Sequence, residues 1–226
     1  MTTTTKRKWL EEGLTLLAES GAGALTIEML TSRFGVTKGS FYHHFQHFQD
    51  YKEHLLSFYE DERTLQVIES AEQHEVPLDR LELIIQATLH QPSQLEVSLR
   101  AWALQDRFVQ SYQQRIDQRR LAYLADLACQ ICHDRERAHR ISHLFSSIFV
   151  GSQHILPPVQ GDELEALYRE VERISDFLPS PEGGKHIRKE SYYAREKLFS
   201  CSEPARDSAI AGQCRLYRCQ DRDRDC

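Results

Sequence analysis

Between Thr26 and Phe45 the chain sets two helix-start signals and one helix-stop signal so close together that two helices must turn sharply against each other. Thr26 is a good N-cap, because its hydroxyl can accept from a free N–H of the first turn, and Glu28 follows where the helix dipole favours a carboxylate. Ile27, Leu30 and Phe34 then share a face, and Gly35 stands at the C′ position, where a left-handed residue ends a helix. Thr37 caps the next, short helix. Val36 and Phe41 bracket that cap at the spacing of a hydrophobic staple, as Leu25 and Leu30 bracket Thr26. With only Gly35 and Val36 between them the two helices cannot run on as one rod, and the pattern is a helix-turn-helix.

The remaining segments also read with a helical period, and no strict alternation flanked by hairpin turns calls for a sheet, so the expected fold is all-α. Trp9, Leu10, Leu14 and Leu17 stripe a first helix that Gly21 and Gly23 end. A long helix with Tyr51, Leu55, Phe58, Leu65 and Ile68 on one face is expected from about Asp50 to His74. Further helices are expected at about Leu78 to His90, Ser93 to Ala103, Asp106 to Cys132, Arg135 to Ile155 and Asp162 to Leu178, punctuated by Pro77, Pro92, Pro157, Pro158, Gly161 and Pro179. In the last of these Leu164, Leu167, Val171, Ile174 and Leu178 repeat at three and four, which suits either packing within one subunit or a seam between two. The organisation follows: a three-helix head over residues 1–48, a helical body over 49–179, and a disordered tail over 180–226, where no apolar period is sustained.

The chain of 226 residues is long enough for a full hydrophobic core, and no apolar run approaches the roughly 20 residues of a membrane span. No signal-peptide core follows the basic start, so the expected location is cytoplasmic. A net charge of -6 argues against coating nucleic acid along the whole length. The head differs: Lys6, Arg7, Lys8, Arg33 and Lys38 stand against Glu11, Glu12, Glu19 and Glu28, with His43, His44 and His47 added. On a helical wheel from Thr37 to Phe45, Phe41 and Phe45 turn inward and Gly39, Ser40, His43 and His47 outward, flanked by Lys38, Tyr42 and His44. A small or hydroxylated helix start with cationic and phenolic margins is what a major-groove helix needs for base edges and phosphates. The same residues also describe a polar surface on an ordinary helical hairpin.

The run from Thr26 to Phe45, Thr-Ile-Glu-Met-Leu-Thr-Ser-Arg-Phe-Gly-Val-Thr-Lys-Gly-Ser-Phe-Tyr-His-His-Phe, closely resembles the DNA-binding motif of tetracycline-repressor-like (TetR family) regulators. The clear resemblance covers about Lys6 to Leu56. It implies that Thr37, Lys38, Gly39 and Ser40 lie at base edges, that Tyr42 and His44 contact phosphates with His43 as an additional contact, and that Thr26 anchors the second helix. Phe48 departs from the pattern, which often carries a phosphate-contacting lysine there, and Lys52 is too far along to replace it. The resemblance further implies a homodimer on a palindromic double-stranded DNA operator, acting as a repressor and released by a small-molecule effector bound in the body. It implies no enzyme activity, cofactor, metal or membrane partner, and leaves the effector residues unassigned.

Two other signals compete. Cys129-Gln-Ile-Cys-His133 matches the CxxCH pattern of covalent haem attachment, but it sits at the end of an expected long helix, where two cysteines three apart share a face. Buried structural thiols are the leading reading, with a thiol-based redox switch at Cys129 and Cys132 as the alternative. Cys201, Cys214, Cys219 and Cys226 fall in the tail. A helical ligand-binding protein or enzyme with a vestigial helix-turn-helix is the other alternative; Arg100, Trp102, Arg107 and Tyr112 could line a pocket, but a tryptophan in a helical domain is more often core and helical arginines are usually solvated, so no ligand residue is nominated. No phosphate loop, HExxH or GxSxG is present.

Overall fold

The computed structural model describes residues 5–91 and 93–177, with side chains to residue 173. Ten α-helices fill them, and no strand occurs among the described residues. The head contains α1 (Lys6–Ser20), a 3-10 turn (Ala22–Ala24), α2 (Ile27–Phe34) and α3 (Lys38–Tyr42). The body contains α4 (Phe48–Glu60), α5 (Gln66–Glu72), α6 (Pro77–Leu89), α7 (Ser93–Ala103), α8 (Arg107–Cys132), α9 (Arg135–His154) and α10 (Gly161–Phe177). No described helix is long and apolar enough to cross a membrane. The expected tail, with its four cysteines, and Leu178 lie outside the described residues, as does the side chain of Ile174.

The expected start of α2 is present in atomic detail. Thr26 Oγ1 accepts from Met29 N at 3.1 Å, and Gly35 closes the helix in the left-handed region at φ 61°. Thr37 holds the N-cap position of α3 with extended backbone but makes no side-chain capping bond, which corrects the expectation of a hydroxyl cap; its carbonyl receives Ser40 N instead. α3 is also shorter than the wheel assumed. Regular helix stops at Tyr42, and His47 does not lie on its outer face: it is the N-cap of α4, its Nδ1 accepting from Asp50 N at 2.9 Å, while Asp50 Oδ2 accepts from Gln46 N. Phe41 and Phe45 still both turn inward, at 0% and 1% exposure, because the turn after α3 keeps the chain wrapped on the same core.

One hydrophobic core runs through head and body together. Trp9, Leu14, Leu17, Leu30, Phe41 and Phe45 join Tyr51, Leu55, Leu99, Trp102, Val109 and Ile116 in it, with α1 lying along α7. Gly13 makes the closest approach possible. A Cβ there would sit 1.9 Å from the Tyr51 hydroxyl, which donates to the Trp9 carbonyl at 3.0 Å. A second core of Leu81, Ile85, Leu127, Phe145, Leu164, Tyr168 and Val171 gathers α6, α8, α9 and α10. The stripe on α10 is therefore divided: Leu164 and Val171 pack within the subunit, whereas Leu167 is exposed.

The single long helix expected after Phe48 is interrupted. A π-helical turn, Asp61–Leu65, joins α4 to α5. This wide turn carries the buried face from Tyr59 and Glu60 to Thr64 and on to Ala71, and it leaves Leu65 exposed although the helical period placed it inward.

Candidate functional site: a helix-turn-helix face and a cavity in the body

The α2–α3 pair presents Thr26, Thr37, Lys38, Gly39, Tyr42 and His43 to solvent, with Ser40 and His44 half-buried at its edge. All of them rest on the rigid floor formed by Leu30, Phe41 and Phe45, so a short helix that would be marginal alone is held in place by packing. Tyr42 stands edge-on to Phe41 with ring centroids 5.6 Å apart, and the rings of His43 and His44 are 5.0 Å apart. The space around Gly39 is informative. A Cβ there would meet only Thr37 Oγ1, at an ordinary 3.6 Å, so nothing inside the described protein requires a glycine at that position.

The charges of this face are more committed than the sequence count suggests. Lys38 Nζ donates to Glu28, tying α3 to α2, and this bond holds the Glu28 carboxyl below its ordinary value. Arg33 joins α2 to α1 through Glu12 and Glu19, and Arg7 pairs with Glu11 and Glu62. Lys6 lies over the Phe45 ring at 5.3 Å. Lys52 takes no part in the outer face. It is buried, its Nζ 2.6 Å from Asp106 and over the rings of Trp102 and Phe108, and Asp106 in turn caps α8 by accepting from Phe108 N and Val109 N. Lys52 is thus a tie between α4 and the start of α8.

Below that tie the α4 helix meets a chain of buried ions. Glu60 receives Arg115 and Arg119. Tyr59 donates to Glu96, which also accepts from Arg100 at 2.8 Å and Arg120 at 3.2 Å, while Arg100 holds Asp117 with two parallel bonds. Burial alone would push the Glu96 carboxyl up, but Arg120 and Arg100 outweigh it and hold it below its ordinary value. Arg120 Nε reaches Thr64 Oγ1 at 3.0 Å, so this network ends on the π turn. Trp102 and Tyr112 are core and Arg107 is exposed, as a helical tryptophan and a helical arginine ordinarily are, while Arg100 is bound to acids and lines a shallow depression.

A more enclosed cavity lies elsewhere, with a volume of about 90 Å³, among the π turn, α5, α6, α8, α9 and α10. Its walls include Val67, Ile84, Leu124, Phe145 and Phe149, with Arg63, Arg120 and Tyr168 as polar elements. No sequence signal pointed there, because its residues come from six segments whose periodicity announces only helices. Cys129 is buried and Cys132 half-buried between α8 and α9, packed with Ala128, Ala138 and Ile141, and the Cys132 thiol donates to the Asp134 carbonyl. His133 is turned out of the helix at φ 55° as its C-cap.

Residues 10–50 match the description "Bacterial regulatory proteins, tetR family". Solved structures share the fold at low identity. A TetR transcriptional regulator from Legionella pneumophila is 15% identical, with 76% of this chain and 98% of that one covered and a TM-score of 0.66. A transcriptional regulator from Rhodococcus sp. Rha1 is 17% identical over 78% and 100%, with a TM-score of 0.63. A third, from Saccharomonospora viridis in complex with choline, is 14% identical over 76% and 95%, with a TM-score of 0.58. No curated protein sequence matches the chain. The helix-turn-helix geometry and the match across it lead to one conclusion: residues 10–50 of this chain are similar to the N-terminal domain of the tetR family of bacterial regulatory proteins, carried on an all-helical fold shared with solved transcriptional regulators.

Proposed function

We propose that the protein is a homodimeric transcriptional repressor that reads a palindromic operator through the outer face of α3 and is released by a small molecule bound in the body. The observation that carries the DNA-reading part is the helix-turn-helix itself: an ordered floor of Phe41 and Phe45 beneath Thr37, Lys38, Gly39, Tyr42 and His43, all facing solvent. Thr37, Lys38, Gly39 and Ser40 are assigned to base edges. Tyr42, His43 and His44 are assigned to phosphates, and Thr26 to a phosphate at the start of α2.

Two such heads must stand roughly 34–36 Å apart to enter successive major grooves, so the reading requires a dimer and is sensitive to small tilts. The exposed Leu144 of α9 and Leu167 of α10 support a dimer seam on that side of the body. The cavity beside the π turn is the proposed effector site, and the choline complex of the Saccharomonospora viridis structure is an instance of a small molecule held by this fold. The route from cavity to head is physical: the π turn lines the cavity and continues without a break into α4, which starts at Phe48 just after the reading face. An effector shifts the head only by its differential affinity for the two positions of that lever.

The test is a titration of a duplex enriched from a random pool, at two salt concentrations. Tyr42→Ala is expected to weaken binding to every sequence and to lower the salt slope, whereas Ser40→Ala is expected to change preference at a base pair. A Tyr42→Ala protein that altered base preference with an unchanged salt slope would overturn the division of roles.

A further inference from the structure

The polar atoms of the body cavity restrict what can occupy it. Arg63 and Arg120 line it, and no carboxylate does. Arg120 is already committed: it is bonded to Glu96, to Thr64 and to the Arg63 carbonyl, and it stacks over Phe149. Arg63 is different. Its guanidinium makes no ion pair or hydrogen bond among the described residues, although Asp61 and Glu62 precede it, for those carboxylates are taken by Gln66 and by Arg7 and Gln66 respectively. A half-buried guanidinium beside an apolar cavity loses hydration without gaining a counter-ion, a cost that an anionic ligand would remove and a cationic or neutral one would not.

A second group is also unspent. Tyr168 is only 3% exposed and stacks on Phe145, and its hydroxyl has no hydrogen-bond partner among the described residues. Burial pushes that phenol above its ordinary pKa, so it is a neutral donor at physiological pH. Arg63 and Tyr168 thus join the committed Arg120 and the uncharged Thr88, Gln91 and Ser146 on the wall of a space that is otherwise largely apolar, with two cations and no anion. At about 90 Å³, with about 10–15 Å³ needed for each water-sized group in this measure, the cavity has room for roughly six to nine such groups.

Resting on the effector reading above, we infer that the ligand is a small amphipathic monoanion, an apolar body carrying one carboxylate or comparable group, whose anionic end pairs with Arg63. Arg63 belongs to the π turn, so the charged end of the ligand engages the one segment of the lever helix whose backbone departs from α geometry.

The test uses calorimetric titration of the whole chain without DNA, with butanoate, hexanoate and benzoate, their uncharged amides, hexylamine and choline. At least one acid is expected to bind about tenfold or more tightly than its amide, a difference of roughly 1.4 kcal/mol. Arg63→Gln is expected to abolish that difference while Arg63→Lys retains part of it, with folding of both variants checked by circular dichroism. Equal binding of acid and amide, an Arg63→Gln protein that binds the acids like wild type, tighter binding of choline or hexylamine, or no acid bound at about millimolar concentration would each overturn the inference. The same acids are then added to the operator complex. Acids that bind through Arg63 yet leave the complex intact uphold the ligand class and refute effector release; a neutral compound that releases DNA from a protein no acid binds does the reverse.

Discussion

At the scale of single residues, two glycines separate folding from function. Gly13 is required by the protein itself, since a Cβ would sit 1.9 Å from the Tyr51 hydroxyl across the α1–α4 contact. Gly13→Ala is expected to cost about 1–3 kcal/mol by overpacking, despite the better helix propensity of alanine. Adding Tyr51→Phe removes the clashing oxygen, so the double variant should be more stable in urea than additivity allows. Equal and additive losses would mean that the clash is relieved elsewhere. Gly39 is the opposite case, for a Cβ there meets only ordinary contact. Gly39→Ala is expected to keep or raise stability, by up to about 1 kcal/mol, while weakening operator binding at least tenfold, because the lost space is the approach of the backbone to DNA. Thermal unfolding and a binding titration of the same sample decide it; unchanged affinity would remove Gly39 from the interface.

At the scale of elements, the segment from Phe48 to Glu72 is held by charge as much as by apolar packing. Glu96 links it to α7 and α8 through Tyr59, Arg100 and Arg120. Glu96→Gln leaves two half-buried arginines under-compensated and should cost about 3 kcal/mol in urea unfolding. Because the Glu96 carboxyl is held below its ordinary value in the folded state, its contribution is complete above the unfolded-state pKa and is lost as the pH falls through the lowered folded-state value. Wild type should therefore lose stability on acidification more steeply than Glu96→Gln, and parallel pH profiles would contradict the role given to this ion. The network also explains what the sequence could and could not disclose. Thr26 and Gly35 act within a few residues of themselves, so their capping and helix-ending roles were legible, as were the helices of the body to within a residue or two. The π turn was not, for what accompanies it is Arg115, Arg119 and Arg120 gripping Glu60 and Thr64 from a helix far along the chain. His47 was misplaced for a related reason: the wheel was carried past Tyr42, where the chain leaves the helix and His47 begins the next one.

At the scale of the whole molecule, the helix-turn-helix face and the body are not loosely strung together. The core containing Trp9, Phe41 and Phe45 also contains Leu99, Trp102 and Ile116, and Lys52 with Asp106 closes its edge. The head and α7 and α8 of the body therefore share one set of packed side chains. The composition of the outer face was legible in the sequence, since it rests on one contiguous motif; the cavity was not, since it is assembled from the π turn and five helices. The exposed Leu144 and Leu167 bear on assembly. The pair Leu144→Asp and Leu167→Asp is expected to shift a dimer toward monomer in sedimentation and to weaken operator binding with it, and a double variant that remains dimeric would place the seam elsewhere. The most direct test of the central claim is selection of duplexes from a random pool by the full-length protein. The account predicts enrichment of a palindrome whose half-sites lie about one helical turn or a multiple of it apart. A pool that emerges no more enriched than it entered would contradict the claim that α3 reads DNA.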